Sequence, residues 1–154
     1  MSYVELHCHS NFSFLDGASH PEDLVARARE IGMSALAMTD HDGLYGAVTF
    51  YRTAKRAGIK PIIGAELTVD QKYHLTLLAK NMQGYSNLCR LITRAQLDHS
   101  KGKSSLDSSY LADHAGGIIY LSGCRRGEIP SLLAAGKVRD AEAVANGYRE
   151  IFGN

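Results

Sequence analysis

Short apolar runs alternate with stretches of helical periodicity along most of the chain. Five runs are expected to form β-strands, at positions 3–7, 35–38, 61–66, 73–79 and 118–121. Apolar residues at the spacing of amphipathic helices occupy the segments around 21–31, 48–57, 84–98, 108–114 and 141–151. Repeated strand–helix units predict an α/β fold with a mostly parallel sheet and right-handed crossovers, either open or part of a barrel.

The first helix has a predicted start and end. Ser19 and Glu22 have the three-residue spacing of a capping box, in which the two side chains satisfy free amides of the first turn. Pro21 suits that first turn, because its fixed φ is helical and it has no amide hydrogen to satisfy. Gly32 is typical of the position just after a helix ends. These signals predict a helix between Ser19 and Gly32.

Length and composition indicate one globular domain over residues 1–154. Hydrophobic residues make up 45% of the chain and charged residues 21%, and no linker or repeat divides it. The net charge of +1 gives no electrostatic sign of a nucleic-acid surface. No apolar run approaches the roughly 20 residues of a membrane span, and the first residues do not resemble a secretion signal. Together with three widely spaced cysteines, these features predict a cytoplasmic protein.

Metal-type ligands follow four of the five predicted strands, and strand ends share one edge of a parallel sheet. These residues are His7 and His9, then Asp40 and His41, then Glu66, and finally Cys124. Residues two apart on an extended segment point to the same side, so the two histidines of the first pair can approach one ion together. Asp16 adds an oxygen donor in the following loop, and His74 lies early in the fourth strand. The pattern predicts a metal site, with Glu66 able to bridge two ions.

Several of these residues also have a simpler interpretation. A single H-x-H pair such as His7 and His9 is often solvated or satisfied in a core. The stretch from Asp40 to Gly43 could be an ordinary turn reversed at Asp42. The functional alternative is that His41 is a ligand and that Asp40 orients it by accepting the other ring proton. The two interpretations of this stretch are compatible.

Five longer motifs carry a resemblance to a known family. They are E-L-H-C-H-S-N-F-S-F-L-D-G-A-S, T-D-H-D-G-L-Y-G-A-V, I-K-P-I-I-G-A-E, H-L-T-L-L-A-K-N-M-Q-G-Y-S-N-L and Y-L-S-G-C-R-R-G-E-I-P. Together they resemble the PHP family, named for polymerase and histidinol phosphatase. The residues of these motifs are most similar to those of the N-terminal PHP domain of bacterial DNA polymerase III alpha subunits. Among these subunits, they are most similar to the error-prone type.

The resemblance implies a distorted (β/α) barrel of seven strands with a metal cluster at the carboxyl ends. With five predicted strands, this chain would be a partial (β/α) barrel of the PHP type. The matching ligands are His7, His9, Asp16, His41, Glu66, His74 and Cys124. His74 enters this set through the resemblance. Mixed nitrogen, oxygen and sulfur donors favour zinc as the divalent ion, and manganese or iron also fits.

The chain also departs from the family pattern. The family completes its cluster with an Asp-x-His motif, whereas here no histidine follows His114. We therefore expect a domain truncated at its C-terminus before the last strands, with one metal position weakened. An unfinished barrel edge would favour self-association.

The implied activity is metal-dependent phosphoester hydrolysis, such as 3′–5′ exonuclease proofreading, with Glu66, His41 and Asp40 as candidate catalytic residues. DNA would be reached through the parent polymerase, and no membrane partner is expected. One alternative is a small-molecule phosphatase, in which Arg125 and Arg126 would bind a monoester. Another is a metal-stabilised scaffold without catalysis.

Overall fold

A computed structural model describes residues 3–153. Its helices are α1 (Pro21–Glu30), α2 (Ala47–Ala57), α3 (Met82–Leu97), α4 (Glu128–Ala134) and α5 (Val138–Phe152). Its strands are β1 (Ala35–Met38), β2 (Lys60–Val69), β3 (Tyr73–Ala79) and β4 (Ile118–Leu121). Two 3₁₀ turns, Ser108–Tyr110 and Ala112–His114, replace the short helix predicted there. The mixed α/β class is confirmed.

The sheet has the order β1-β2-β3-β4, and its strand directions differ from the prediction. β1 and β2 are parallel, but β2–β3 and β3–β4 are antiparallel, so the expectation of a mostly parallel sheet is wrong. The reason is the short connection between Val69 and Tyr73, because a parallel crossover needs a dozen residues or more. Asp70 and Gln71 have φ of 50° and 55°, and the Lys72 amide donates to the Val69 carbonyl at 3.0 Å. This left-handed pair closes a hairpin.

The strand predicted at 3–7 is wrong, so the sheet within residues 3–153 has four strands rather than five and shows no closed barrel. Only an isolated bridge joins Glu5 to Leu36. Two amides that could form strand hydrogen bonds donate to side chains instead. The His7 amide donates to the Glu5 carboxylate and the Cys8 amide donates to the Thr39 hydroxyl, both at 3.0 Å. The segment therefore runs beside β1 without becoming a regular strand.

The predicted capping box at α1 is also wrong. His20 occupies the N-cap without a side-chain bond, and Pro21 is the first helical residue. The Ser19 carbonyl accepts a hydrogen bond from the Asn11 amide at 2.8 Å, which fastens Ser19 to the preceding loop. Because Ser19 lies one position before the cap, its side chain is not placed to satisfy the first turn.

Two apolar clusters cover the sheet. The larger one packs β2 and β3 against α3 and α5, with Leu67, Leu77 and Leu88 fully buried. In this cluster the rings of Tyr120 and Tyr148 stack at 4.6 Å, which docks α5 on β4. The smaller cluster packs α1 and α2 on β1. No helix of the described range combines the length and apolar character needed to cross a membrane.

Candidate metal centre

Glu66 lies at the centre of a group of four histidines. Its side chain is almost completely buried, with 1% of the residue exposed. One carboxylate oxygen, Oε1, is 3.0 Å from His7 Nε2. The other, Oε2, is 3.1 Å from His41 Nε2, 3.2 Å from His74 Nδ1 and 3.5 Å from His9 Nε2. One buried anion is thus within reach of four imidazoles, a donor set typical of divalent transition metals.

The strand pairings explain how His41 and His74 reach Glu66. The backbone beyond β1 continues to pair with β2, so that the Glu66 amide donates to the Asp40 carbonyl and His41 lies beside Glu66. On the other side, the hairpin pairs Thr68 with His74. A residue early in β3 therefore lies next to a residue late in β2. The antiparallel turn is what brings His74 to the edge where the other candidates lie.

His7 and His9 point to the same side, as their spacing predicts. Their Nε2 atoms are 3.0 Å apart, and the His9 ring stacks on that of His41 at 4.6 Å between centroids. Asp16 Oδ2 is 2.8 Å from His41 Nε2, which adds an exposed carboxylate at the mouth of the site. Ligand atoms within 4.8 Å of one another form three overlapping groups, namely His7–His9–Glu66, His9–Asp16–His41 and His41–Glu66–His74.

Cys124 lies beside these groups. Its Sγ atom is 3.8 Å from His74 Nδ1 and accepts a hydrogen bond from the Arg126 amide at 3.4 Å. Burial raises the pKa of this thiol, and the charge of Glu66 raises it further. The cysteine is therefore protonated at neutral pH unless a metal ion displaces the proton. The structure thus brings all seven candidate ligands to one edge of the sheet.

Asp40 organises the loop that carries the first histidines. Its buried carboxylate accepts hydrogen bonds from the Ser10 amide at 2.6 Å, the Ser10 hydroxyl at 2.8 Å and the Ser13 hydroxyl at 2.7 Å. The expected bond to the His41 ring is not among its contacts. Ser13 instead accepts from the His41 amide at 3.1 Å, and its Oγ lies 3.3 Å from His9 Nδ1. Asp40 therefore acts on the site through the serines.

The Ser13 contact determines which nitrogen of His9 is available. The Ser13 hydroxyl gives its proton to Asp40, so it can only accept from His9 Nδ1. His9 then carries its proton on Nδ1 and presents a free lone pair at Nε2, the atom that faces Glu66. Sequence reasoning missed Ser10 and Ser13. The available signal was Asp40 itself, since a carboxylate that follows a buried strand needs nearby donors.

The charges in the cluster are strongly coupled. Burial opposes ionisation of Glu66, but the hydrogen bond from His7 and the positive charge of the histidines outweigh it and lower its pKa to about 2. The hydrogen bond to Glu66 raises the pKa of His7, whereas burial and the neighbouring His41 lower that of His9. Protons on the histidines thus offset the buried carboxylate. A divalent cation fits the same position, because it supplies positive charge to deprotonated ligands.

Sequence comparison shows that the chain is similar to part of two bacterial DNA polymerases. The chain is 50% identical to the error-prone DNA polymerase of Symbiobacterium thermophilum, an alignment that covers 99% of this chain and 16% of that protein. It is 44% identical to the DNA polymerase III subunit alpha of Treponema pallidum, over 99% of this chain and 14% of that subunit. The chain therefore spans about one seventh to one sixth of the length of these relatives.

A solved structure shows the same fold. It is a two-domain protein from Bacteroides vulgatus described as containing a predicted PHP-like metal-dependent phosphoesterase, with a TM-score of 0.53, 16% identity, and coverage of 87% of this chain and 41% of that one. Residues 5–154 match the family described as PHP domain. This match confirms the resemblance to the family drawn from the motifs, and the chain belongs to the PHP domain family.

Proposed function

We propose that this chain is the metal-binding part of a phosphoesterase that hydrolyses a DNA 3′ end, within a polymerase of the error-prone III alpha type. The observation that carries the proposal is the buried carboxylate of Glu66 within 3.5 Å of four histidine nitrogens. A buried anion surrounded by imidazoles needs a compensating charge, and a phosphoesterase site supplies it as metal ions. Relatives named as DNA polymerases support DNA as the substrate, and hence the cytoplasm as the location.

The three ligand groups suggest how the ions would be held. His7, His9 and Glu66 would hold one ion, and His41 and His74 would share Glu66 for another, with Cys124 at its side. Asp16 and His41 provide the donors nearest the mouth of the site. Zinc suits this mixture of nitrogen, oxygen and sulfur best, and manganese or iron is the alternative. Bound ions lower the pKa of a coordinated water and neutralise charge on the phosphoryl oxygens.

The protein side chains divide the remaining tasks. Glu66 belongs to two of the ligand groups and would be shared between the ions that they hold. His41 contacts both Glu66 and Asp16, so it connects the inner and outer donors. Asp40 is a positioning residue, because it holds Ser13 against His9 and the His41 amide. Each group is preorganised before substrate arrives, which is the condition for electrostatic stabilisation of a phosphoryl transition state.

The proposal is tested by metal content and hydrolysis together. Elemental analysis of protein purified without added metal or chelator should find about two or more equivalents per chain, as in two-metal hydrolases. The protein should then shorten a 5′-labelled oligonucleotide from its 3′ end. The double variant His7→Ala/His9→Ala should lose metal and activity. Its melting temperature should also fall, because metal binding contributes to folding. His20→Ala is the matched control, because His20 is an exposed histidine outside the cluster. It should leave metal content, activity and melting temperature unchanged.

The outcomes separate the competing functions. Metal without hydrolysis of DNA but with turnover of small phosphate monoesters would replace the proposal with a small-molecule phosphatase. Metal with neither activity would leave a metal-stabilised scaffold. Metal content below about half an equivalent, or a melting temperature that a chelator does not change, would refute the metal centre.

We also propose that the isolated chain self-associates through β4. Within residues 3–153 this strand pairs with β3 alone, and Ile119 is 45% exposed. An edge strand with an exposed apolar side chain is a template for pairing with a second copy. Sedimentation equilibrium should give a mass that rises with concentration, and Ile119→Lys should shift it toward the monomer. A monomeric mass over the whole concentration range would contradict this.

A further inference from the structure

The loop after the first histidines presents two apolar side chains to solvent. Phe14 is 86% exposed and Leu15 is 108% exposed, so neither packs against the described part of the chain. Leu15 also has a φ of 65°, in the left-handed region that favours glycine. An exposed leucine gains no burial that would offset the cost of this backbone conformation. Because such residues cluster at ligand sites, the pair is a candidate surface for contact with another molecule.

The exposure of this pair does not come from a slack loop. The Asp16 and Gly17 amides both donate to the Ser13 carbonyl, at 3.1 and 2.9 Å, and the Ser13 amide donates to the Ser10 carbonyl at 3.0 Å. A side chain at Gly17 would lie 2.0 Å from the Ser10 carbonyl oxygen, so the loop closes tightly on itself. These hydrogen bonds hold the turn in which Phe14 and Leu15 are exposed.

The same loop joins the pair to the metal centre on both sides. Ser13, immediately before Phe14, contacts His9 and Asp40. Asp16, immediately after Leu15, lies 2.8 Å from His41. The apolar pair is therefore anchored at the rim of the site by residues that belong to it. A substrate whose phosphate reached the ligands would bring its neighbouring groups to this rim.

We propose that Phe14 and Leu15 form a platform for the terminal nucleobase of the DNA strand whose phosphate lies at the metal centre. This inference rests on the proposed function and adds a residue-level determinant of the substrate. An aromatic face and an aliphatic side chain are the surface on which a base stacks, and such stacking is independent of base identity. The flat base thus meets apolar groups while the phosphate meets the polar cluster. The platform selects nucleotides over small phosphate esters that lack a base.

A double-mutant cycle between protein and DNA tests the platform. The probes are a 5′-fluorescein oligothymidylate with phosphorothioate linkages and the same strand with an abasic 3′-terminal residue. Binding to the zinc-loaded full chain is measured by fluorescence anisotropy. Phe14→Ala should weaken binding of the normal strand about 5- to 150-fold, the equivalent of one stacked base at 1–3 kcal/mol. It should leave binding of the abasic strand unchanged.

Two control variants and a second test variant complete this cycle. Phe14→Tyr keeps an aromatic face and should bind like the wild type. Leu15→Gly removes the side chain while retaining a residue that accepts the positive φ, so the loop keeps its shape and only the normal strand loses affinity. Met82→Ala removes an exposed apolar side chain at the start of α3, which follows the end of β3 opposite His74, and should have no effect.

The possible results distinguish this inference from the function on which it rests. If Phe14→Ala affects both strands equally or neither, the platform is refuted, while shortening of an unmodified 5′-labelled oligonucleotide by the wild type would leave the proposed function intact. If the wild type neither binds the normal strand nor shortens the unmodified oligonucleotide, the proposed function fails and the platform fails with it.

Discussion

Replacing Glu66 with Gln is expected to abolish assembly of the metal centre. The substitution keeps the shape of the side chain but removes the buried negative charge that contacts His7, His41 and His74. Groups that merely orient a ligand already contribute 10- to 100-fold to metal affinity, so loss of a shared ligand should cost more than about a hundredfold. Equilibrium dialysis with zinc and the rate of 3′-end hydrolysis would measure the two losses.

Asp42→Asn is the matched control for Glu66→Gln. Asp42 is a neighbouring carboxylate that accepts hydrogen bonds from the Thr68 amide at 2.8 Å and from the Thr68 hydroxyl at 2.9 Å. It belongs to none of the ligand groups found in the described residues. Its φ of 48° is one that asparagine tolerates well, so the turn should persist. Metal affinity of Asp42→Asn should stay within about threefold of the wild type. Equal affinities of Glu66→Gln and the wild type would show that Glu66 is not a ligand.

Replacing Asp40 with Ala should cause the largest loss of stability among the residues around the site. The carboxylate is 2% exposed and satisfies three donors on Ser10 and Ser13. Removing it leaves those buried donors unpaired, at roughly 1–3 kcal/mol each, so the free energy of unfolding should fall by about 3 kcal/mol or more. Chemical denaturation in the presence of a chelator would measure this loss without any contribution from bound metal.

Asp98→Ala provides the comparison for Asp40→Ala. Asp98 is exposed and forms a surface ion pair with Arg94, whose Nε is 2.7 Å from Oδ2. Such a pair contributes no more than about 1 kcal/mol, since solvent screens both charges. Asp40→Asn should fall between the two, because the amide oxygen keeps part of the acceptor capacity. If Asp40→Ala unfolds at the same denaturant concentration as Asp98→Ala, the hydrogen-bonded loop does not hold the site together.

Local patterns predicted much of the secondary structure. The runs at 35–38, 73–79 and 118–121 are strands with the predicted boundaries, and the helical periodicities correspond to α1, α2, α3 and α5. Whether such a segment forms a helix or a strand depends on the spacing of its apolar residues, and that spacing can be read from the segment alone. The failed strand at 3–7 depended on amide hydrogens that the side chains of Glu5 and Thr39 take instead.

The direction of β3 was also predictable from the sequence, but from the length of the connection before it and not from the pattern of apolar and polar residues. Three residues separate β2 from β3, which excludes a helical crossover. The interpretation of the strands as repeated parallel units was therefore wrong for two of the three strand pairings of the described sheet. The same misreading made His74 look like a minor candidate, since an early residue of a parallel strand lies at the opposite edge from the site.

The sequence by itself determined the kinds of ligand, their places at the ends of elements and the family to which the chain belongs. Residue type and spacing carry that information directly, through the H-x-H pair and the carboxylate of Glu66. Only the tertiary structure decided which of these side chains meet, because their distances depend on strand pairing between segments far apart in the chain. It also decided the surroundings of Asp40 and Leu15, since one is buried among hydroxyl donors and the other is exposed at a left-handed position.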